Sequence, residues 1–142
     1  MHQSASSPSS SILSMTDEHA EAFPWTAGEA EVEVEIHRLD HFLPQLRLER
    51  KVLLKIDVQG YSLPVLHGAP ETLLKVDTVI VETSFTELYE GEANFDQVYR
   101  FMVDAGFRFM GLLDQLAHPE SGAPLQGDAI FRRSQAVDKD GG

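Results

Sequence analysis

Polar and apolar residues follow two different rhythms along this chain. Glu31, Val32, Glu33, Val34, Glu35 and Ile36 alternate strictly, which predicts a strand with one wet face at a sheet edge or in an accessory hairpin. Leu53, Leu54, Ile56 and Val58 instead form a nearly continuous apolar run, the pattern of a parallel strand covered on both faces. A second buried strand is expected over 77–81, leading into Glu82, Thr83 and Ser84. Between these strands, 62–67 predicts a short helix with Pro64 in its first turn and Gly68 at its end. Residues 70–75 add another turn or two.

Further on, Asn94 and Gln97 have the spacing of a capping box, and Phe95, Val98, Met102 and Ala105 form one apolar stripe. A helix from 94 to 105, stopped by Gly106, follows from that pattern. Two closing strands are expected over 107–112 and 128–132, the last antiparallel to its neighbour. The 15 residues between them carry Pro119, Gly122, Pro124 and Gly127 and are expected to form a loop. Strand, helix, strand, helix and two strands make an α/β unit.

Seven of the first 14 residues are serine, and acidic sequence with a proline follows, so residues 1–28 are expected to form a flexible or extended arm. The domain proper is expected over 29–133, with a disordered tail over 134–142.

Composition narrows the function classes. The 142 residues carry a formal charge of −12, and no Lys/Arg cluster makes an electrostatic footprint for nucleic acid. Nucleic acid and anionic membrane surfaces are therefore not expected as partners. With no apolar run long enough for a span and no secretory pattern at the N-terminus, a cytoplasmic location is expected. The absence of cysteine excludes disulfides and thiolate chemistry, and the six histidines lack ligand spacing, so no metal is expected.

The candidate chemistry sits where strands end. Lys55 and Asp57 are two residues apart on one side of the sheet, and charge in such a strand is costly unless paired or used. Ligand crevices of open α/β sheets lie outside the carboxyl ends of the strands, where Asp57, Gln59 and Gly60 belong. Asp57 reads either as a cap for the following turn or as a functional carboxylate. Glu82, at the matching end of the next strand, reads as a second crevice carboxylate or as an ion-pair partner of Lys55. No glycine-rich nucleotide turn and no nucleophile elbow occurs in the sequence.

The runs Leu54–Tyr61 (LKIDVQGY), Val65–Ala69 (VLHGA), Val79–Glu82 (VIVE) and Leu88–Gly91 (LYEG) resemble, in that order, the FkbM-type methyltransferases. Arg38, Leu39 and Asp40 ahead of the strand, Ala105 to Phe107, Asp128 to Phe131 and the Ser9 to Leu13 segment extend the resemblance. It implies a Rossmann-like class I fold and transfer of a methyl group from S-adenosylmethionine to a hydroxyl oxygen of a small molecule or sugar. The resemblance further suggests Asp57 as base or orienting group, with Glu82 as a second catalytic carboxylate. It assigns no cofactor-binding residue. Gln59 stands where the family pattern has Glu.

The matched motifs correspond to the C-terminal part of that domain, so the fold expected is a partial one with the N-terminal cofactor half missing. An unpaired edge at 53–57 would then allow self-association. Two other classes compete: a non-catalytic binding remnant of the same fold, and a signalling receiver with Asp57 as phosphoacceptor.

Overall fold

The computed structural model describes residues 1–4, 10–26 and 29–134. Its centre is a four-stranded sheet of β3 (Leu53–Ile56), β4 (Thr78–Ser84), β5 (Phe107–Ala117) and β6 (Pro124–Arg133), in the order β3-β4-β6-β5. β3 and β4 are parallel, and β6 runs antiparallel to both β4 and β5. A separate antiparallel pair joins β1 (His2–Ser4) to β2 (Glu29–Glu31). The helices are α1 (Asp17–Ala22), α2 (Leu39–Phe42), α3 (Ser62–His67), α4 (Pro70–Leu73) and α5 (Phe95–Asp104).

Register explains which side chains meet. Ile56 pairs with Val81, Val81 with Ala129, and Ala129 with Leu112, so one face carries an unbroken apolar row. That face packs against Leu66 of α3, Leu73 of α4, and Val98 and Met102 of α5. The neighbouring row, Lys55, Ile80, Ile130 and Gly111, faces the other way. Leu53 on that side is 57% exposed, and Ile80 and Ile130 are only half-buried.

The expectation that the 53–58 strand is covered on both faces is therefore corrected. Among the described residues, helices cover one face of the sheet. An apolar run records the identity of the side chains but not whether a second layer is present to meet them.

The alternating segment at 31–36 is a second correction. Only Glu29–Glu31 is strand, although the Val32 amide still donates to the Met1 carbonyl at 2.9 Å. The partner β1 is three residues long, so the ladder stops when its neighbour does. A strand exists by pairing, and alternation cannot supply a partner.

The closing hairpin is longer than expected. β5 reaches Ala117 and β6 begins at Pro124, which reduces the expected 15-residue loop to a six-residue turn. Pro124 is the first residue of its strand, where it is tolerated, and register shifts between Phe109 and Gly111 and between Leu112 and Gln115 let the strands continue. Gly127 is not a breaker. It lies mid-strand, where an added Cβ would come within 2.9 Å of the Asp114 carbonyl oxygen.

Other local expectations hold. The Asn94 side chain accepts from the Gln97 amide while the Gln97 side chain accepts from the Asn94 amide, completing the capping box. α3 ends at Gly68 as expected.

Within the segment read as an arm, α1 is capped by Thr16. Ala22 joins Leu88, Tyr89 and Leu125 in a small second core beside the sheet end, with Leu13, Met15 and Phe23 packed against it. The tail beyond Ser134 lies outside the described residues.

Candidate active site

Asp57, Glu82 and Asp128 stand in one row across three strands. Asp57 follows β3 with the parity of Lys55, and Glu82 and Asp128 are register partners in β4 and β6. All three line a cleft of about 230 Å³ outside the carboxyl ends of β3 and β4, together with Asp114 and Gln126. This is where an α/β sheet presents its ligand site.

Lys55 lies one pleat below this row. Its Nζ is 2.6 Å from Asp128 Oδ1 and 3.7 Å from the nearer Asp57 oxygen. Burial alone would lower the lysine's pKa, but the Asp128 hydrogen bond and the charges of Asp128, Asp57 and Glu82 raise it above the usual value. Of the two partners open to Lys55, Asp57 lies within ion-pair distance, and Asp128, brought beside β4 by the hairpin, takes the hydrogen bond in place of Glu82.

Glu82 is held by an amide. Gln59 Nε2 donates to Glu82 Oε2 at 3.0 Å and Oε1 at 3.3 Å, and to Asp57 Oδ1 at 2.9 Å. The other end of the Gln59 side chain accepts from the Tyr89 hydroxyl at 2.9 Å, which fixes the direction of the amide. Gln59 has φ of +45°, an uncommon conformation for a residue other than glycine, and the Ser11 hydroxyl donates to its carbonyl. Gly60, at φ +85°, leaves no room for a Cβ against the buried Tyr89, whose own Cβ would be 2.9 Å away and whose ring 3.0 Å.

Burial, then the negative charges of Asp57 and Asp128, raise the Glu82 pKa to about 7, against the opposing effects of Gln59 and Lys55. A carboxyl group in that range changes protonation near neutral pH. Asp57 does not cap the turn after β3. Its hydrogen bond is to the Gln59 side chain and its ion pair is with Lys55.

Two other carboxylates are structural. Asp40 accepts from the Glu71 and Thr72 amides at 3.0 and 2.8 Å and from the Thr72 hydroxyl at 2.7 Å, closing the start of α4. Partial burial opposes ionisation of Asp40, yet these bonds and nearby Arg38 hold its pKa below the usual range. Glu92 fastens the loop after β4 by accepting from the Ser84 hydroxyl and the Leu88 and Tyr89 amides, while its burial raises its pKa.

Asp57 and Glu82 are thus brought together as expected. Sequence reasoning missed the Gln59 bridge and Asp128; Tyr89, which reads either as core or as crevice-facing, is fully buried with its hydroxyl on Gln59. The substitution of Gln for Glu at position 59 was visible and was read only as a lost charge. No group of three or more acidic or histidine side chains among the described residues is arranged to hold a metal. No helix among them is long and apolar enough to cross a membrane.

The sheet joins a parallel β3–β4 pair to an antiparallel β5–β6 hairpin, with an acidic cleft at the ends of β3 and β4. The chain belongs to the family described as the Methyltransferase FkbM domain, whose pattern matches residues 1–109. It is also similar to the 2-O-methyltransferase NoeI of Sinorhizobium fredii (strain NBRC 101917 / NGR234), at 36% identity over 74 residues. That stretch is 52% of this chain and 30% of the relative's length. No solved structure matches.

The match from residue 1 corrects two expectations. The family match is not confined to the C-terminal part of this chain, and it gives no support to a missing N-terminal half: it takes in β1, α1 and β2 and ends in β5. The expectation rested on short motifs concentrated after residue 38. Ahead of residue 38 only the Ser9–Leu13 segment entered it, whereas the contribution of Met15 and Ala22 is packing against Leu88 and Tyr89. Family membership also replaces the signalling-receiver alternative.

Proposed function

We propose that the cleft serves methyl transfer from S-adenosylmethionine to a hydroxyl oxygen of a small molecule or sugar. The observation that carries this reading is the convergence of Asp57 and Glu82 on one amide, at the carboxyl end of two parallel strands, in a chain of the FkbM family. Use of S-adenosylmethionine is inferred at the level of the family. The 2-O-methyltransferase named among its relatives supports a hydroxyl acceptor.

In this reading Glu82 is the base. The transition state needs the hydroxyl proton removed as its oxygen takes the methyl group, and a base poised near the working pH does this best. Asp57, more exposed and tied to Lys55, orients the acceptor through a second hydrogen bond. Gln59 keeps the two carboxylates apart and aimed into the cleft.

The cleft lies below the roughly 300–1,000 Å³ of ordinary ligand pockets, and carboxylates and amides dominate its lining. Those residues do not fit the whole cofactor with its adenine and ribose, so they are assigned to the acceptor alone.

A cytoplasmic setting without nucleic acid or membrane partners accords with the charge of −12. Self-association through β3, which has one neighbour among the described strands, completes the reading.

The test is turnover of a hydroxyl acceptor by the wild-type chain and by Glu82→Gln and Asp57→Asn. A loss of about 10²–10⁴-fold in kcat for Glu82→Gln is expected of a general base. Undiminished turnover in that variant would remove Glu82 from the mechanism.

A further inference from the structure

A second hollow, of about 190 Å³, is lined by Gln59 and by Trp25 of the N-terminal segment. It shares Leu116 and Gln126 with the acidic cleft, and Gln59 lines it while bonding both Asp57 and Glu82. Trp25 is 67% exposed where it lines this hollow. A chain of edge-on ring contacts holds that indole in place: Trp25 on Phe23 at 5.5 Å, Phe23 on His19 at 5.5 Å, and His19 on Tyr89 at 5.1 Å. The chain of contacts ends at the Tyr89 hydroxyl on Gln59. The exposed ring is thereby anchored to the group that positions the carboxylates.

Gln126 supplies an independent observation. It is 7% exposed and lines both hollows, yet its side-chain amide makes no hydrogen bond among the described residues. The residue is largely buried, but its amide is not sealed from solvent and stands open to a ligand or water in the hollows. It offers both a donor and an acceptor at the junction of the two hollows.

We infer that Trp25 and Gln126 form the subsite for the ring of the methyl acceptor, and that this ring is a neutral, polyhydroxylated pyranose. The inference rests on the reading of the cleft as an acceptor site. The indole face takes the apolar C–H face of the sugar, Gln126 takes ring hydroxyls as donor and acceptor, and Asp57 and Glu82 accept from the hydroxyls at the reacting end. An acceptor bearing phosphate or carboxylate is repelled by Asp57, Asp114 and Asp128, since Lys55 is already engaged. A purely aromatic acceptor would offer the Gln126 amide no hydrogen-bond partner in the hollow.

Trp25 is the one tryptophan in the sequence, so its emission reports on this subsite alone. The full chain is titrated with methyl pyranosides of neutral hexoses and with a cello-oligosaccharide, followed by fluorescence and calorimetry. A neutral pyranoside is expected to bind saturably with a change in Trp25 emission. Trp25→Ala should weaken binding at least about tenfold while Trp25→Phe stays within a few-fold, because the contribution is that of an aromatic face. Gln126→Leu should weaken the pyranosides and spare a phenol.

Binding without a Trp25 signal, no binding of any neutral pyranoside, or preference for a phenol or a quaternary ammonium would each overturn the inference. Methyl-transfer assays separate it from the reading it rests on. Pyranoside binding as described without any methyl transfer would sink the enzymatic reading alone. Methyl transfer to a non-cyclic alcohol, unchanged in Trp25→Ala, would sink the subsite alone.

Discussion

Gln59 and Glu82 are joined by a forked hydrogen bond: one amide nitrogen lies 3.0 and 3.3 Å from the two carboxylate oxygens. The amide donates to the carboxylate without adding charge, which opposes the rise in the Glu82 pKa caused by burial and by Asp57 and Asp128. Replacing it with the Glu of the family pattern removes that donor and adds a negative charge. Gln59→Glu is therefore expected to move the alkaline rise of kcat/KM to higher pH, measured as a pH–rate profile across pH 5–9. An unmoved profile would mean that Gln59 does not control the base.

The pH dependence of the wild type follows from Glu82 itself. As a base it acts when ionised, so kcat/KM should rise through about pH 7 and level off above it. A flat profile from pH 5 to 8 would exclude Glu82 as the titrating group.

Stability should run the other way. The folded-state pKa of Glu82 is raised, so between its ordinary value near 4.5 and about 7 the folded chain binds more protons than the unfolded chain. Its contribution to stability falls as pH rises through that window, and Glu82→Gln removes the penalty. The variant should gain stability over wild type at pH 8, by at most about 3 kcal/mol, and show little gain at pH 4. Denaturant melts at the two pH values check this.

Tyr89→Phe deletes the hydroxyl that orients Gln59 and leaves the fully buried ring in place. The expected cost is about 1 kcal/mol of stability. A larger fall in kcat than in acceptor affinity should accompany it, because the Gln59 amide is then free to turn away from the carboxylates. Equal kcat in the two proteins would show that the hydroxyl serves stability alone.

The free edge of β3 is testable by sedimentation. Leu53 is exposed there on a strand with a single neighbour among the described residues, and a charge on such an edge discourages pairing with another copy. Leu53→Lys should reduce association at high concentration. A wild-type chain that stays monomeric throughout would remove self-association from the proposed function.

Local features were legible from residue order because they are settled within a few residues. The capping box at Asn94 and Gln97, the stop at Gly68 and the placement of Asp57 at a strand's carboxyl end need only neighbouring side chains and backbone sterics. The parallel pairing of β3 with β4 was also accessible, since two apolar runs separated by helix-forming sequence imply a crossover. Tertiary structure alone decided which charges meet. Asp128 faces Lys55 because β6 lies beside β4 with Glu82 opposite Asp128, a long-range register that no local pattern announced. Tyr89 and Trp25 acquire their positions from the N-terminal packing around Phe23 and His19, contacts between segments more than sixty residues apart. Residue order specifies the chemical groups and their local geometry, whereas burial and long-range register determine which of those groups share a cleft and which carboxyl titrates near neutrality.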